Sequence, residues 1–234
     1  MLRTLLLLPG MLLVGGLASL ILSAQATTTA YEPNPPRTLV IGIDLSSSNP
    51  LIRDDAFAAK VAARLNPMIS GLAAHSRVVL RSFGSYNSQA NSKLSLDILI
   101  APKTARAEDI ANLVSKVIAG VPQMVRQGRI DEQSSTNIVP FLMNMANTVS
   151  CKAMPTYIVL ASDGVEDSQI ANLTRRHSSL PPPQVAPFPG CEELTILGIG
   201  RGLNSPRDTE RLRSAWQAWS VAAGFKHFNG LNDW

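Results

Sequence analysis

Aromatic side chains are scarce in this chain, at 5% of its 234 residues, and no block of lysines and arginines interleaves with them. The stacking platforms and basic stripes of nucleic-acid recognition are therefore missing. A formal net charge of +4 and a pI of about 9.3 leave only weak attraction to acidic surfaces. Histidine is rarer still: His75, His177 and His227 stand far apart, in no ligand or triad spacing, and read as surface or structural residues. No G-x-x-x-x-G-K-[ST], H-E-x-x-H or G-x-S-x-G occurs, which removes the common NTPase, zinc-protease and hydrolase signatures. Gly198, Gly200 and Gly202 follow an apolar run, but Leu203 falls where the third glycine of a dinucleotide fingerprint belongs, so the segment reads as a strand-to-loop exit. No internal repeat is apparent.

Cysteine occurs twice, at Cys151 and Cys191, and its meaning depends on the amino-terminal segment. Residues 1–26 read as a secretory signal: Arg3 supplies the positive start, residues 5–22 the apolar stretch, and Ala24-Gln25-Ala26 the small-x-small cleavage pattern. The apolar stretch matches the roughly 18 residues of a membrane span, so an uncleaved anchor is the alternative. Pro9-Gly10 and Gly15-Gly16 weaken that helix. Residues 27–36 are polar and proline-rich, an extended tether. Residues 37–234 are enough for one domain with a substantial core. In an exported chain two cysteines favour a disulfide over two buried free thiols. Each precedes an apolar strand, and parallel neighbours begin at the same sheet edge, where the sulfurs can meet.

The apolar pattern alternates between strands and helices. Residues 37–45 form a strand too continuously apolar for a one-sided sheet. Residues 54–65 carry Phe57, Val61 and Leu65 at helical spacing, with Pro67 interrupting before the pattern resumes over 68–74. Strands over 77–83 and 94–100 are joined by a polar, hairpin-like stretch. In the second, Leu94, Leu96 and Ile98 alternate with Ser95 and Asp97, as on a partly exposed edge. A helix over 107–119 presents Ile110, Leu113, Val114 and Val117, and Gly120 with Pro122 marks its end. After a polar loop, a helix over 136–149 follows, with Pro140 in its early turns. Strands near 156–162 and 194–199 flank a short helix at 167–176 and a proline-rich loop at 178–190. A final helix over 209–223 bears Trp216 and Trp219 as core anchors, and residues 225–228 add a last strand. The expected fold is α/β: a doubly wound, mostly parallel, Rossmann-like sheet with one antiparallel edge strand and helices on both faces.

The most informative segment is Ile41-Gly42-Ile43-Asp44-Leu45-Ser46-Ser47-Ser48, an apolar strand that ends in Asp-x-Ser-x-Ser. On an extended backbone, positions i, i+2 and i+4 face one side, so a carboxylate and two hydroxyls converge. Hard oxygen ligands without Cys or His suit Mg²⁺ or Mn²⁺, which keeps water in its shell. Ser134-Ser135-Thr136-Asn137-Ile138 places a hydroxyl at a helix start, and a second apolar strand, residues 157–161, ends in Ser162-Asp163-Gly164. Thr136 by itself reads as a helix cap. Both Asp44 and Asp163 lie at carboxyl strand ends, where open α/β sheets bind ligands.

With these three segments in order, the chain resembles the von Willebrand factor type A family, the integrin I-like domains, and its metal-ion-dependent adhesion site. The resemblance covers nearly the whole chain after the leader. It implies that Ser46, Ser48 and Thr136 bind the ion directly and that Asp44 and Asp163 act directly or through water. Asn49-Pro50 departs from the family, whose members run into an apolar residue and the first helix. The expected function is an exported protein-binding module in which an Asp or Glu of a partner protein fills the ion's open position; Arg53, Arg126 and Arg129 read by default as solvated surface charge, with attraction of that acid as the alternative. The alternatives are a metal-dependent hydrolase, for which no general base stands out, and a structural subunit of an envelope or secretion assembly. Glu166 and Asp167 follow Asp163 closely enough to tune the metal, but read first as acids offsetting a helix dipole. The periplasm is the leading compartment, with an extracellular or membrane-anchored location as the alternative. Membrane association is expected only if the leader is left uncleaved.

Overall fold

A computed structural model describes residues 34–85, 90–175 and 178–234. The expected signal, most of the tether, and His177 lie outside the described residues. Among those described, no helix is long and apolar enough to cross a membrane.

The centre of the fold is β1 (Thr38–Asp44), buried along its whole length. Beside it run β2 (Arg77–Phe83) and β4 (Thr156–Ala161), both parallel to it. β3 (Ser95–Leu99) pairs antiparallel with β2, while β5 (Glu193–Leu197) and β6 (His227–Leu231) extend the parallel side. The spatial order is β3-β2-β1-β4-β5-β6. The chain thus builds outward from β1 on one side and then returns to build outward on the other. The reversal lies between β1 and β4, and the crevice beyond their carboxyl ends is where such sheets bind ligands. β3 is an edge, with Ser95 and Asp97 exposed and Leu96 and Ile98 half-buried, so its two-residue alternation means what it suggested.

Two apolar layers cover the sheet. On one face α1 (Asp55–Ser70), α3 (Ala107–Ala119) and α4 (Val121–Arg126) pack against Leu39, Ile41, Ile43, Val78 and Leu80. On the other, α5 (Ile138–Ala146) and α6 (Pro206–Ala223) pack against Val40, Val79, Ile158, Leu160 and Ile196. Adjacent strand residues belong to opposite layers, as a pleated strand dictates. α5 lies so near β1 that a Cβ on Gly42 would stand 2.6 Å from Leu160 Cδ2 and 2.8 Å from Phe141 Cε1.

Several expected boundaries move. α1 runs through Pro67 without a break, because Phe57, Val61, Leu65 and Ile69 form one buried stripe whose packing outweighs the missing N–H in the last turns. α3 ends at Ala119, as Gly120 and Pro122 suggested, but a further helix, α4, follows at once, with Pro122 in its first turn where no donor is needed. Leu113, placed on the apolar face by its spacing, is exposed. The polar link after β2 contains a short helix, α2 (Ala90–Lys93). Residues 167–175 form turns, not a helix: Ser168 N donates to the Ala171 carbonyl, and the Ser168 hydroxyl accepts from Ile170 N. The last strand begins at His227, two residues later than its apolar pattern suggests.

Cys151 and Cys191 form a disulfide, with Cα atoms 4.8 Å apart. They sit just ahead of β4 and β5, at the amino edge of the sheet, opposite the ends that carry Asp44 and Asp163.

Candidate metal centre

β1 and β4 run in register with Ile43 beside Ala161, so the next residues, Asp44 and Ser162, become neighbours. The Ser162 hydroxyl donates to Asp44 Oδ2 at 2.6 Å and accepts from Gly164 N at 3.0 Å. Asp44 Oδ1 accepts from Ser46 N at 2.8 Å. Asn49 is buried beneath this turn. Its amide donates to the carbonyls of Asp44 (2.8 Å) and Ala161 (3.1 Å), and its oxygen accepts from Leu51 N (3.3 Å), which begins the 3-10 turn Pro50–Ile52. Asn49 is therefore a clasp that ties the two strand ends together.

The side chains of Ser46 and Ser48 meet, with their hydroxyl oxygens 3.2 Å apart. Ser48 also hydrogen-bonds to Asp163. Asp163 Oδ1 accepts from Val165 N at 2.9 Å, and its backbone carbonyl accepts from Gly200 N at 2.7 Å. Gly164 follows with φ +75°, a left-handed turn that suits glycine, and its carbonyl receives Trp216 Nε1 at 2.7 Å. The two tryptophans are core anchors, as expected from α6, and Trp216 also fastens the loop that holds Asp163.

The third segment is laced to the other two. Ser47 N donates to the Gln133 carbonyl and Gln133 N to the Leu45 carbonyl, at 2.8 and 2.9 Å. Thr136 exchanges both backbone bonds with Asp167, at 3.1 and 2.9 Å. Thr136 is 2% exposed, and its hydroxyl has no hydrogen-bond partner among the described residues. It does not cap α5, whose start is closed by Glu166. The structure thus links Asp44, Ser46, Ser48 and Asp163 in one chain of contacts and ties Thr136 by its backbone to Asp167, four residues after Asp163.

The electrostatics are unusual. Asp44 is 0% exposed and Asp163 2%, and neither has an ion-pair partner among the described residues. Burial first, and the charge of Asp163 second, push the Asp44 carboxyl up to about 7. Burial also raises Asp163, against the steadying bonds from Val165 N and Ser48. Two buried like charges need either a shared proton or a cation between them. No group of three or more His, Cys, Asp or Glu side chains suited to a metal occurs among the described residues. A cation here would depend on hydroxyls beside two carboxylates, a hard-oxygen set that fits Mg²⁺ or Mn²⁺ with retained water. The residues present fit such an ion.

Three contributors escape a reading of the sequence alone, Asn49, Gln133 and Ser162, and a fourth, Glu166, is offered there only as the lesser reading. Ser162 and Asn49 flank the motifs directly, yet only strand pairing reveals their partners. The Glu166 carboxylate is 0% exposed and accepts from Ile138 N (2.8 Å), Val139 N (3.0 Å) and the Ser168 hydroxyl (2.5 Å). Burial pushes it up to about 7. Its role as an acid at the start of a 167–176 helix falls with that helix. The alternative of steering by arginines also needs correction: Arg53 is paired with Glu132 at 2.8 Å and Arg126 with Asp55 at 3.0 Å, so their charges are already met. Arg129 makes no ion pair among the described residues.

No protein-family model matches this chain, and no curated protein matches it. Among solved structures it is similar to the pilus adhesin SpaC from Lactobacillus rhamnosus GG, with 11% identity, a TM-score of 0.48, and coverage of 86% of this chain and 29% of that one. It is similar also to a mutant of the minor pilin PilB from Streptococcus sanguinis, with 11% identity, a TM-score of 0.44, and 88% and 59% coverage. A third is the human COPII-coat protein Sec24c, with 12% identity, a TM-score of 0.42, and 86% and 30% coverage. The chain spans 29% to 59% of the length of these structures. Likeness at this level assigns neither a family nor an activity.

Proposed function

We propose that this chain is an exported protein-binding module of the von Willebrand factor type A kind. Mg²⁺ or Mn²⁺ would be held by Asp44, Ser46, Ser48, Thr136 and Asp163. Bound there, the ion would supply an electrophilic position for an Asp or Glu of a partner protein. The observation that carries this reading is the pair of buried carboxylates without a cationic partner among the described residues, set beside hydroxyls at the switch in strand order. Three neutral hydroxyls and two carboxylates leave an octahedral divalent ion one ligand short, a position open to an incoming acid.

The disulfide supports an exported protein, since such bonds persist in oxidising compartments. The hydrolase alternative gains little. His75 and His227 lie at the amino ends of β2 and β6, the edge of the sheet away from Asp44 and Asp163. A structural subunit of an envelope or secretion assembly differs from the adhesive reading in what metal removal does.

The test is partner capture from native envelope extract with Mg²⁺ and with EDTA, alongside direct Mn²⁺ titration. EDTA should abolish capture, and Asp163→Ala should match it while the fold is kept. Capture that survives both rejects the adhesive reading. Loss of stability on metal removal with association intact favours the structural role.

A further inference from the structure

The loop after β4 is fastened almost residue by residue. The Asp163 carbonyl goes to Gly200, the Gly164 carbonyl to Trp216, Val165 N to Asp163 itself, and the Glu166 carbonyl to Leu173 N. From this rail the Glu166 side chain reaches across to the first turn of α5, the helix that follows Thr136. A helix start is ordinarily closed by its own N-cap side chain. Here the N-cap residue is Asn137, but its amide turns away to the Gly84 carbonyl at 2.7 Å. The carboxylate that takes its place comes from 27 and 28 residues downstream. A local Asn or Ser would satisfy these two N–H groups without enclosing a carboxylate, which is costly to bury. What the distant acid adds is a tie between two segments.

We propose that Glu166 is a positioning residue for the candidate ion: its carboxylate locks the Thr136 segment to the Asp163 segment and so sets the spacing of two ligands. The proposal rests on the metal-binding reading above. Asp167, next in sequence, adds the antiparallel backbone pairing to Thr136, so side chain and main chain make one brace. Side chains that orient ligands without touching the ion typically change metal affinity by about 10- to 100-fold when lost. An isosteric glutamine keeps a carbonyl oxygen for the two N–H groups and an amide for the Ser168 hydroxyl. It loses only the charge, so its effect is smaller and in the same direction.

The experiment is Mn²⁺ titration of the full chain by calorimetry, well below the melting temperature, with thermal melts run on the same samples. Glu166→Ala is expected to weaken Mn²⁺ binding by about 10- to 100-fold, and Glu166→Gln by less. The control is Ser205→Ala, which removes the side-chain cap of α6 while leaving both ligand loops untouched. It should lower the melting temperature and leave Mn²⁺ affinity unchanged. Should Glu166→Ala fail to fold, Glu166→Gln against Ser205→Ala decides the matter. Undiminished affinity in the glutamate variants, with lowered melting temperatures, overturns the proposal and leaves Glu166 a simple cap. A wild-type chain that takes up no Mn²⁺ overturns the metal reading itself, and this proposal with it.

Discussion

Replacing Asp44 with asparagine should stabilise the metal-free protein at neutral pH, although it removes a buried, hydrogen-bonded side chain. Asparagine keeps an oxygen for Ser46 N and offers an amide to the Ser162 hydroxyl, so the shape survives. What disappears is a carboxylate whose pKa rises from 3.8 to about 7 on folding, through burial first and repulsion from Asp163 second. Between these values the folded chain holds a proton that the unfolded chain has released. Raising the pH through that window therefore drives the equilibrium toward unfolding, and the penalty is complete above it. A rise of this size corresponds to on the order of 4 kcal/mol at pH 8. Glu166, also raised to about 7, adds a penalty of the same sign that Asp44→Asn retains. Urea unfolding in EDTA across pH 4.5 to 8 should show wild type losing stability as pH rises, and Asp44→Asn losing distinctly less. Under the metal-binding reading, Mg²⁺ reverses the wild-type loss and leaves Asp44→Asn unmoved. A variant less stable than wild type in EDTA at pH 8, or a flat wild-type profile, would refute the electrostatic reasoning.

Two other outcomes follow from neighbouring geometry. Asn49→Ala leaves the Leu51 N–H and the carbonyls of Asp44 and Ala161 short of a partner, so urea unfolding should show a loss of about 2 to 3 kcal/mol, and Mn²⁺ affinity should fall with it. Reduction of Cys151–Cys191, which are 40 positions apart, should cost roughly 3 to 4 kcal/mol in denaturant midpoint analysis. Because the bridge lies at the far edge of the sheet, Mn²⁺ affinity at low temperature should be unchanged by it.

Periodicity alone was enough for the layered α/β architecture, because a strand covered on both faces must be apolar throughout and an edge strand must alternate. β1 and β3 are the two cases, and both stand where their patterns put them. The same local logic failed where tertiary packing outweighed it. Pro67 sits inside α1 because a buried stripe on either side of it holds the helix, and the acids at 166 and 167 belong to a braced turn instead of a helix start. That Asp44, Ser46, Ser48 and Asp163 converge was legible because residue type and spacing along a strand end decide which oxygens share a side.

Their environment was not legible, since it depends on which strand ends become neighbours. That Asp44 meets Ser162, that Asn49 clasps β1 to β4, and that Glu166 closes a helix begun 28 residues earlier are consequences of sheet order and register. Sequence determines which side chains are available and on what kind of element. The fold alone decides that two carboxylates from segments more than a hundred residues apart are enclosed together without a counter-charge among the described residues, because only burial turns their proximity into an energetic demand for a proton or a cation.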